Sequence, residues 1–341
     1  VSGYALDRRG PWRRAVAHGQ PARGAATTPY AWPAYLTLAV GAGLALTSPG
    51  LVWRERYVPL LLSLVVFGVP HGAVDHLVPG WVAGRRLARR ATVRLLAGYV
   101  ALTAVGLVLW MTCPLAALAL FFGVTVLHWG SAELAWVRRP PHPWAFVLAR
   151  GAVPVLVPAI AFPGAFAAAV RALLVVFMSH PPTLALGPGW RVGALLLLAA
   201  ICLRGAGRDA RERLELAGLL AFFALVTPVF AVGLYFLAWH SWRHILRLGA
   251  LEPQAAGLLA DGRTGAAVAR ILVLALPCTA IALTGLAALG VALAAHLASA
   301  PALTAVALAL IAALTVPHTV LVAWLDRRRP SALAAVTQAG R

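Results

Sequence analysis

Apolar stretches of membrane-spanning length, separated by short clusters of arginine, glycine and proline, follow one another from about residue 31 to residue 325. Their pattern predicts helices over 31–47, 57–79, 92–111, 114–136, 144–162, 166–180, 190–204, 214–248, 270–296 and 302–325. Most have the roughly 17 to 25 apolar residues that carry a helix across a bilayer, and none alternates as the strands of an outer-membrane barrel do. At about 1.5 Å per residue the 214–248 stretch is too long for one span, and the Thr227-Pro228 step is where a break is expected. The expected fold is an all-α, polytopic transmembrane helical bundle of nine or ten helices. Residues 1–29 are polar and carry Arg8, Arg9, Arg13, Arg14 and Arg23 with no apolar core of their own. They are expected to be a disordered cytoplasmic lead rather than a signal peptide, with 30–326 forming the membrane-embedded domain and 327–341 a short cytoplasmic tail.

Composition agrees. With 61% hydrophobic residues, 11% charged residues and a mean hydropathy of +0.84, the chain has more apolar material than a soluble domain of 341 residues can bury. A net charge of +19 would suit a nucleic-acid partner if it formed one basic face, but the arginines flank the apolar stretches, so nucleic acid is excluded as a partner. All 29 basic residues are arginine, and a chain without lysine cannot hold retinal as a Schiff base, which rules out a rhodopsin. The loop 85–94 has five arginines, 204–213 has four, Arg138 and Arg139 lie between them, and 327–329 is a run of three. These ends are expected in the cytoplasm of a multi-pass plasma-membrane protein surrounded by lipid. The segment 166–180, with Arg171 inside it, breaks the parity and is expected to be re-entrant or interfacial. Cys113, Cys202 and Cys278 are isolated in apolar runs and read as packing residues.

Histidine carries the candidate chemistry. His71 in GVPHGAVDH, His128 in VLHWGSAEL and His240 with His244 in YFLAWHSWRH each stand late in an apolar stretch. An imidazole in a membrane is costly and calls for a function. The spacing of His240 and His244 puts both rings on one helical face, and neutral imidazoles suit iron, copper, nickel or zinc rather than calcium or magnesium. Asp75, four residues after His71, can either fix the tautomer of a ligating imidazole or pair with an arginine of 85–94. Glu133 has the same two readings, with Arg138 as its partner in the second. His76 is about 140° around a regular helix from His71 and is not expected on the same metal. His318 in TVPHTVLVAW is a spare: a ligand or a polar group lining a cavity. His18, His142, His180 and His296 stand in loops or at helix ends and are read as incidental.

GVPHGAVDH, HWGSAEL, WHSWRH and PHTVLVAW, in this order over about residues 57–326, resemble the Brp/Blh family of membrane β-carotene 15,15′-dioxygenases. The resemblance implies non-haem Fe(II), with β-carotene and O2 as substrates and two all-trans-retinal as products, supplied to a retinal-binding rhodopsin. By motif it implies His71, His128, His240 and His244 as the catalytic metal ligands, with Asp75, His76 and His318 also in family-like motifs. Carotene has no polar handle, so its tunnel must be apolar and aromatic, and Phe121, Phe122, Trp129, Tyr235, Phe236, Trp239 and Trp242 are the candidate lining. Two other readings are a His-box membrane desaturase or hydroxylase, which needs more clustered histidines, and a metal or proton transporter, whose intramembrane His and Asp would line a pathway.

Overall fold

Pro49, Pro70, Pro114, Pro143, Pro163, Pro188, Pro228 and Pro253 each open a helix at its first position, where the missing amide would have no partner and the fixed φ already suits the helix. The computed structural model describes residues 28–137, 140–292 and 300–328, and all regular elements among them are helical. In chain order these are α1 (Thr28–Thr47), α2 (Pro49–Arg54), α3 (Val58–Ser63), α4 (Pro70–Ala73), α5 (Val78–Ala83), α6 (Arg89–Thr112), α7 (Pro114–Glu133), α8 (Pro143–Ala161), α9 (Pro163–Leu174), α10 (Pro188–Gly205), α11 (Ala210–Leu225), α12 (Pro228–Leu234), α13 (Trp242–Gly249), α14 (Pro253–Ala260), α15 (Thr264–Ala292) and α16 (Ala300–Arg328). The lead up to residue 27, with His18, lies outside the described residues. So do Arg138, Arg139, His296 and the tail from residue 329.

Among the described residues six helices are long and apolar enough to cross a membrane: Arg89–Thr112, Pro114–Trp136, Pro143–Ala161, Pro188–Gly205, Thr264–Ala288 and Leu308–Arg328. Three shorter apolar stretches, Ala31–Thr47, Val58–Ala73 and Pro163–Leu174, join them. The chain therefore has the character of a membrane protein, but the expected nine or ten spans are not nine or ten long helices. The 57–79 stretch is cut by a π-helical turn at Leu64–Gly68 and by turns at 74–77. The 214–248 stretch breaks where expected: α11 stops at Leu225, Thr227 is extended at φ −56° and ψ 144°, and Pro228 restarts the helix.

Side-chain contacts show which helix ends lie together. Arg243 reaches Glu133 at the end of α7, Arg150 in α8 approaches Glu215 near the start of α11, and Arg247 pairs with Asp326 near the end of α16. A Cβ on Gly205, the last residue of α10, would overlap the Ala145 backbone near the start of α8. Since α6 and α7 form a hairpin about Cys113, the 85–94 segment lies at this same end, as do 204–213 and Asp326. At the other end Trp110, Leu118, Val170, Leu174 and Ala309 form a separate apolar cluster. The 12 residues of α9 rise about 18 Å, short of the roughly 30 Å of a bilayer core, and they pack into this cluster before α10 begins. The helix thus packs at one end of the neighbouring helices instead of running their length.

Helices α7 and α8 approach to backbone contact. A Cβ on Gly130 would overlap the Val147 carbonyl, and one on Gly151 the Val126 carbonyl, so two glycines let the backbones touch on either side of His128.

Candidate metal centre

Two ligand-bearing segments contain π-helical turns. In Leu64–Gly68 the amide of Val69 donates to the carbonyl of Leu64 at 3.0 Å, the i to i+5 bond of a π turn, and His71 follows directly. The second turn, Tyr235–Ser241, contains His240 and passes into α13 with His244. Such turns are rare and concentrate at functional sites, because widening the helix re-aims a side chain. His128 projects from α7 beside the Gly130 contact, and His318 from α16 one residue after Pro317.

These elements bring His71, His128, His240, His244 and His318 into one cluster, with each residue between 2 and 6% exposed. The His71 ring centroid is 5.5 Å from His240, 5.3 Å from His244 and 4.9 Å from His318. His128 is 5.0 Å from His240 and 4.9 Å from His318, His244 is 5.3 Å from His318, and His240 and His244 are 6.4 Å apart. Two imidazoles bound to a common ion at about 2.1 Å have centroids about 4.6 Å apart at a right angle and about 6.5 Å apart on opposite sides. The ring centroids of the cluster fall in this range, and the ligand nitrogens of His71, His128 and His318 lie within 4.8 Å of one another.

Its hydrogen bonds fit as well. The Phe67 carbonyl can only accept, so Nδ1 of His71, 3.2 Å away, carries the proton and Nε2 keeps a lone pair. Ser241 Oγ lies 3.3 Å from the same Nδ1. Both ring nitrogens of His128, His240 and His244 are buried without a hydrogen-bond partner among the described residues. Unpaired buried nitrogens are costly, and a soft-to-intermediate cation bound by neutral imidazole relieves that cost.

The candidate carboxylates lie elsewhere than expected. The helix stops at Ala73, so Asp75 is not on the face of His71 and instead accepts from His318 Nδ1 at 2.8 Å and from Tyr99 Oη at 3.2 Å. Glu133 accepts from Trp239 Nε1 at 3.1 Å and from Arg243 at 2.6 Å; it holds the helix carrying His240 and His244, not a ring. His76 turns away, its Nδ1 3.9 Å from Cys278 Sγ.

The aromatic residues divide in the same way. Phe236 stacks on His240 at 5.9 Å and meets His71 edge-on at 5.6 Å, and Trp129 lies 6.0 Å from His240. Tyr235 packs on Trp129, and Trp242 on Phe67. Phe121 and Phe122 pack further along α7 against the cluster with Trp110 and Phe166. Trp239 faces Arg243, whose guanidinium carbon is 3.9 Å from its ring centroid, and is a support rather than a wall.

A buried ionic network beside the histidines escaped the sequence reading. Arg243 bonds to Glu133 and, at 3.3 Å, to Glu215; Tyr35 and Arg211 also donate to Glu215, and Arg150 donates to the Glu212 carbonyl. It joins α1, α7, α8, α11 and α13 directly behind His240 and His244. The available signal was an arginine between two histidines in WHSWRH, masked by the number of arginines elsewhere.

A family model described as beta-carotene 15,15′-dioxygenase matches residues 62–326. The chain is 34% identical over 323 residues to a protein of Halobacterium salinarum described as probable beta-carotene 15,15′-dioxygenase Blh, covering 86% of this chain and 91% of the relative. It is 28% identical over 328 residues to one described as probable beta-carotene 15,15′-dioxygenase Brp from the same species, covering 85% and 88%. No solved structure matches the chain.

Proposed function

This chain belongs to the beta-carotene 15,15′-dioxygenase family, and we propose that it holds one Fe(II) on His71, His128, His240 and His244 and cleaves the central double bond of β-carotene with dioxygen. One C40 carotene and one O2 give two C20 all-trans-retinal molecules, each new aldehyde taking one oxygen atom. The observation that carries this reading is the meeting of four buried motif histidines from three segments of the chain, with unpaired ring nitrogens on His128, His240 and His244, in a family named for this reaction.

Bound iron would supply the activation of dioxygen. The remaining work belongs to the chain, and it is the positioning of the polyene beside the histidines. Phe236 and Trp129, packed against His240, offer the apolar faces on which a polyene stacks, and they keep water from the rings. A site set among membrane helices admits carotene from the lipid phase. We place the chain in the plasma membrane with its arginine-rich end in the cytoplasm and retinal passing to a retinal-binding rhodopsin.

Expression in a β-carotene-accumulating host tests the reading. Bleaching with retinal as the carotenoid product is expected; unbleached cells, or a mixture of longer and shorter apocarotenals, would overturn it.

A further inference from the structure

His318 belongs to none of the four positions assigned to iron above, yet it is not peripheral. Its ring is 4.9 Å from both His71 and His128 and 5.3 Å from His244, as close as those rings are to one another. Among the described residues the group of side chains whose ligand atoms come within 4.8 Å of one another is His71, His128 and His318. The fifth histidine thus lies inside the cluster, in its tightest trio.

The proton of His318 is also accounted for. Asp75, 3% exposed, accepts from Nδ1 at 2.8 Å, so Nε2 keeps its lone pair, and Nε2 is buried without a hydrogen-bond partner among the described residues. A carboxylate on the distal nitrogen is the usual support of a metal-bound imidazole: it fixes the tautomer and the ring orientation and makes the free nitrogen a better donor. Tyr99 of α6 donates to the same carboxylate oxygen at 3.2 Å and holds it in place. There is an electrostatic reason as well. Neutral imidazoles leave the full charge of a divalent ion uncompensated in a medium of low dielectric constant, which is costly. Among the described residues Asp75 is the carboxylate hydrogen-bonded to a ring of the cluster, so the compensating charge reaches the metal through His318.

We infer that His318 is a fifth imidazole ligand of the metal centre, with Asp75 and Tyr99 as the positioning residues that orient it. The inference rests on the metal-centre reading above and adds a ligand to it.

The test uses the full chain purified in detergent, stripped of metal and loaded with Co(II), whose visible absorption reports the number and kind of its ligands. His318→Ala, His318→Gln and Asp75→Asn are compared with the native chain by the Co(II) spectrum and by competition with a chelator. His318→Gln fills the ring's space if the alanine variant does not fold. Both His318 variants should still bind one Co(II) per chain, at least about tenfold more weakly and with a shifted visible band. Asp75→Asn should weaken binding about 10- to 100-fold and move the same band. Added imidazole should restore the native spectrum to His318→Ala. A native Co(II) spectrum and affinity in the His318 variants would overturn the fifth ligand while leaving the four-histidine centre standing. A native chain that binds no Co(II) would overturn both.

Discussion

Gly68 lies in the π-helical turn three residues before His71, and replacing it by alanine tests how tightly the site is built. A Cβ there would stand 2.6 Å from the Ser63 carbonyl oxygen and 2.7 Å from Phe236 Cε1, whereas ordinary contact begins at 3.4 Å. Relief needs the differences, 0.8 Å from the backbone and 0.7 Å from the ring. The Ser63 oxygen belongs to the chain's own preceding turn and cannot rotate aside, so the segment carrying His71 must move. Phe236 touches both His71 and His240, so pushing it disturbs a second ring. Overpacking of this kind costs about 1–3 kcal/mol. The shift exceeds the roughly 0.5 Å that a preorganised site tolerates, and a 1 Å misplacement can cost about 100-fold in rate. Gly68→Ala is therefore expected to lose about 10- to 100-fold in retinal formation per chain while remaining folded. Gly123→Ala on α7 is the control: its Cβ meets nothing within 4 Å, and it should keep full activity. Retinal is measured by chromatography beside thermal unfolding of the same preparations. Full activity and unchanged stability in Gly68→Ala would refute the reasoning.

Arg243→Ala leaves Glu133 buried without its cation, while Glu215 keeps Arg211 and Arg150, and should destabilise the protein by about 3–5 kcal/mol; Arg243→Met with Glu133→Gln should recover part of this, and equal losses in single and double variants would dismiss the network as a support. Phe236→Ala and Trp129→Ala should change the retinal yield or cleavage position with iron retained, whereas Trp239→Ala, which breaks the bond to Glu133, should lower stability; product analysis beside iron analysis separates these outcomes. For topology, the exposed Cys113 between α6 and α7 should react with an impermeant thiol reagent from outside the cell. Cysteines introduced at Arg86 and Arg208 should react only after the membrane is opened, and labelling of all three from one side would refute the assigned orientation.

The histidines were legible because each stands out in an apolar chain, and short motifs record them without reference to distant residues. The break at Thr227-Pro228 was legible for a similar local reason. The π turns were not, since no residue type marks a widened turn. Nor was the end of the helix at Ala73: a regular helix from His71 to Asp75 puts them on one face, but the chain turns at 74–77, and the partner of Asp75 is 243 residues away. Phe121 and Phe122 precede His128 by about two helical turns, roughly 10 Å along α7, and their packing with Trp110 and Phe166 was not legible because it joins separate helices. Arg243, Arg150 and Glu215 were missed because a buried ion pair between helices has no local signature, and flanking arginines set the expectation for the whole class. The eight-residue α14 was too short for hydropathy to separate from a loop.

Titration of the metal-free protein with Fe(II), with retinal formed from β-carotene under air as the readout, tests the central claim most directly. The account predicts activity that rises to a plateau at one iron per chain, absent without metal and lost in His240→Ala and His244→Ala. A break at two irons per chain, or equal activity with zinc in iron-free protein, would contradict it.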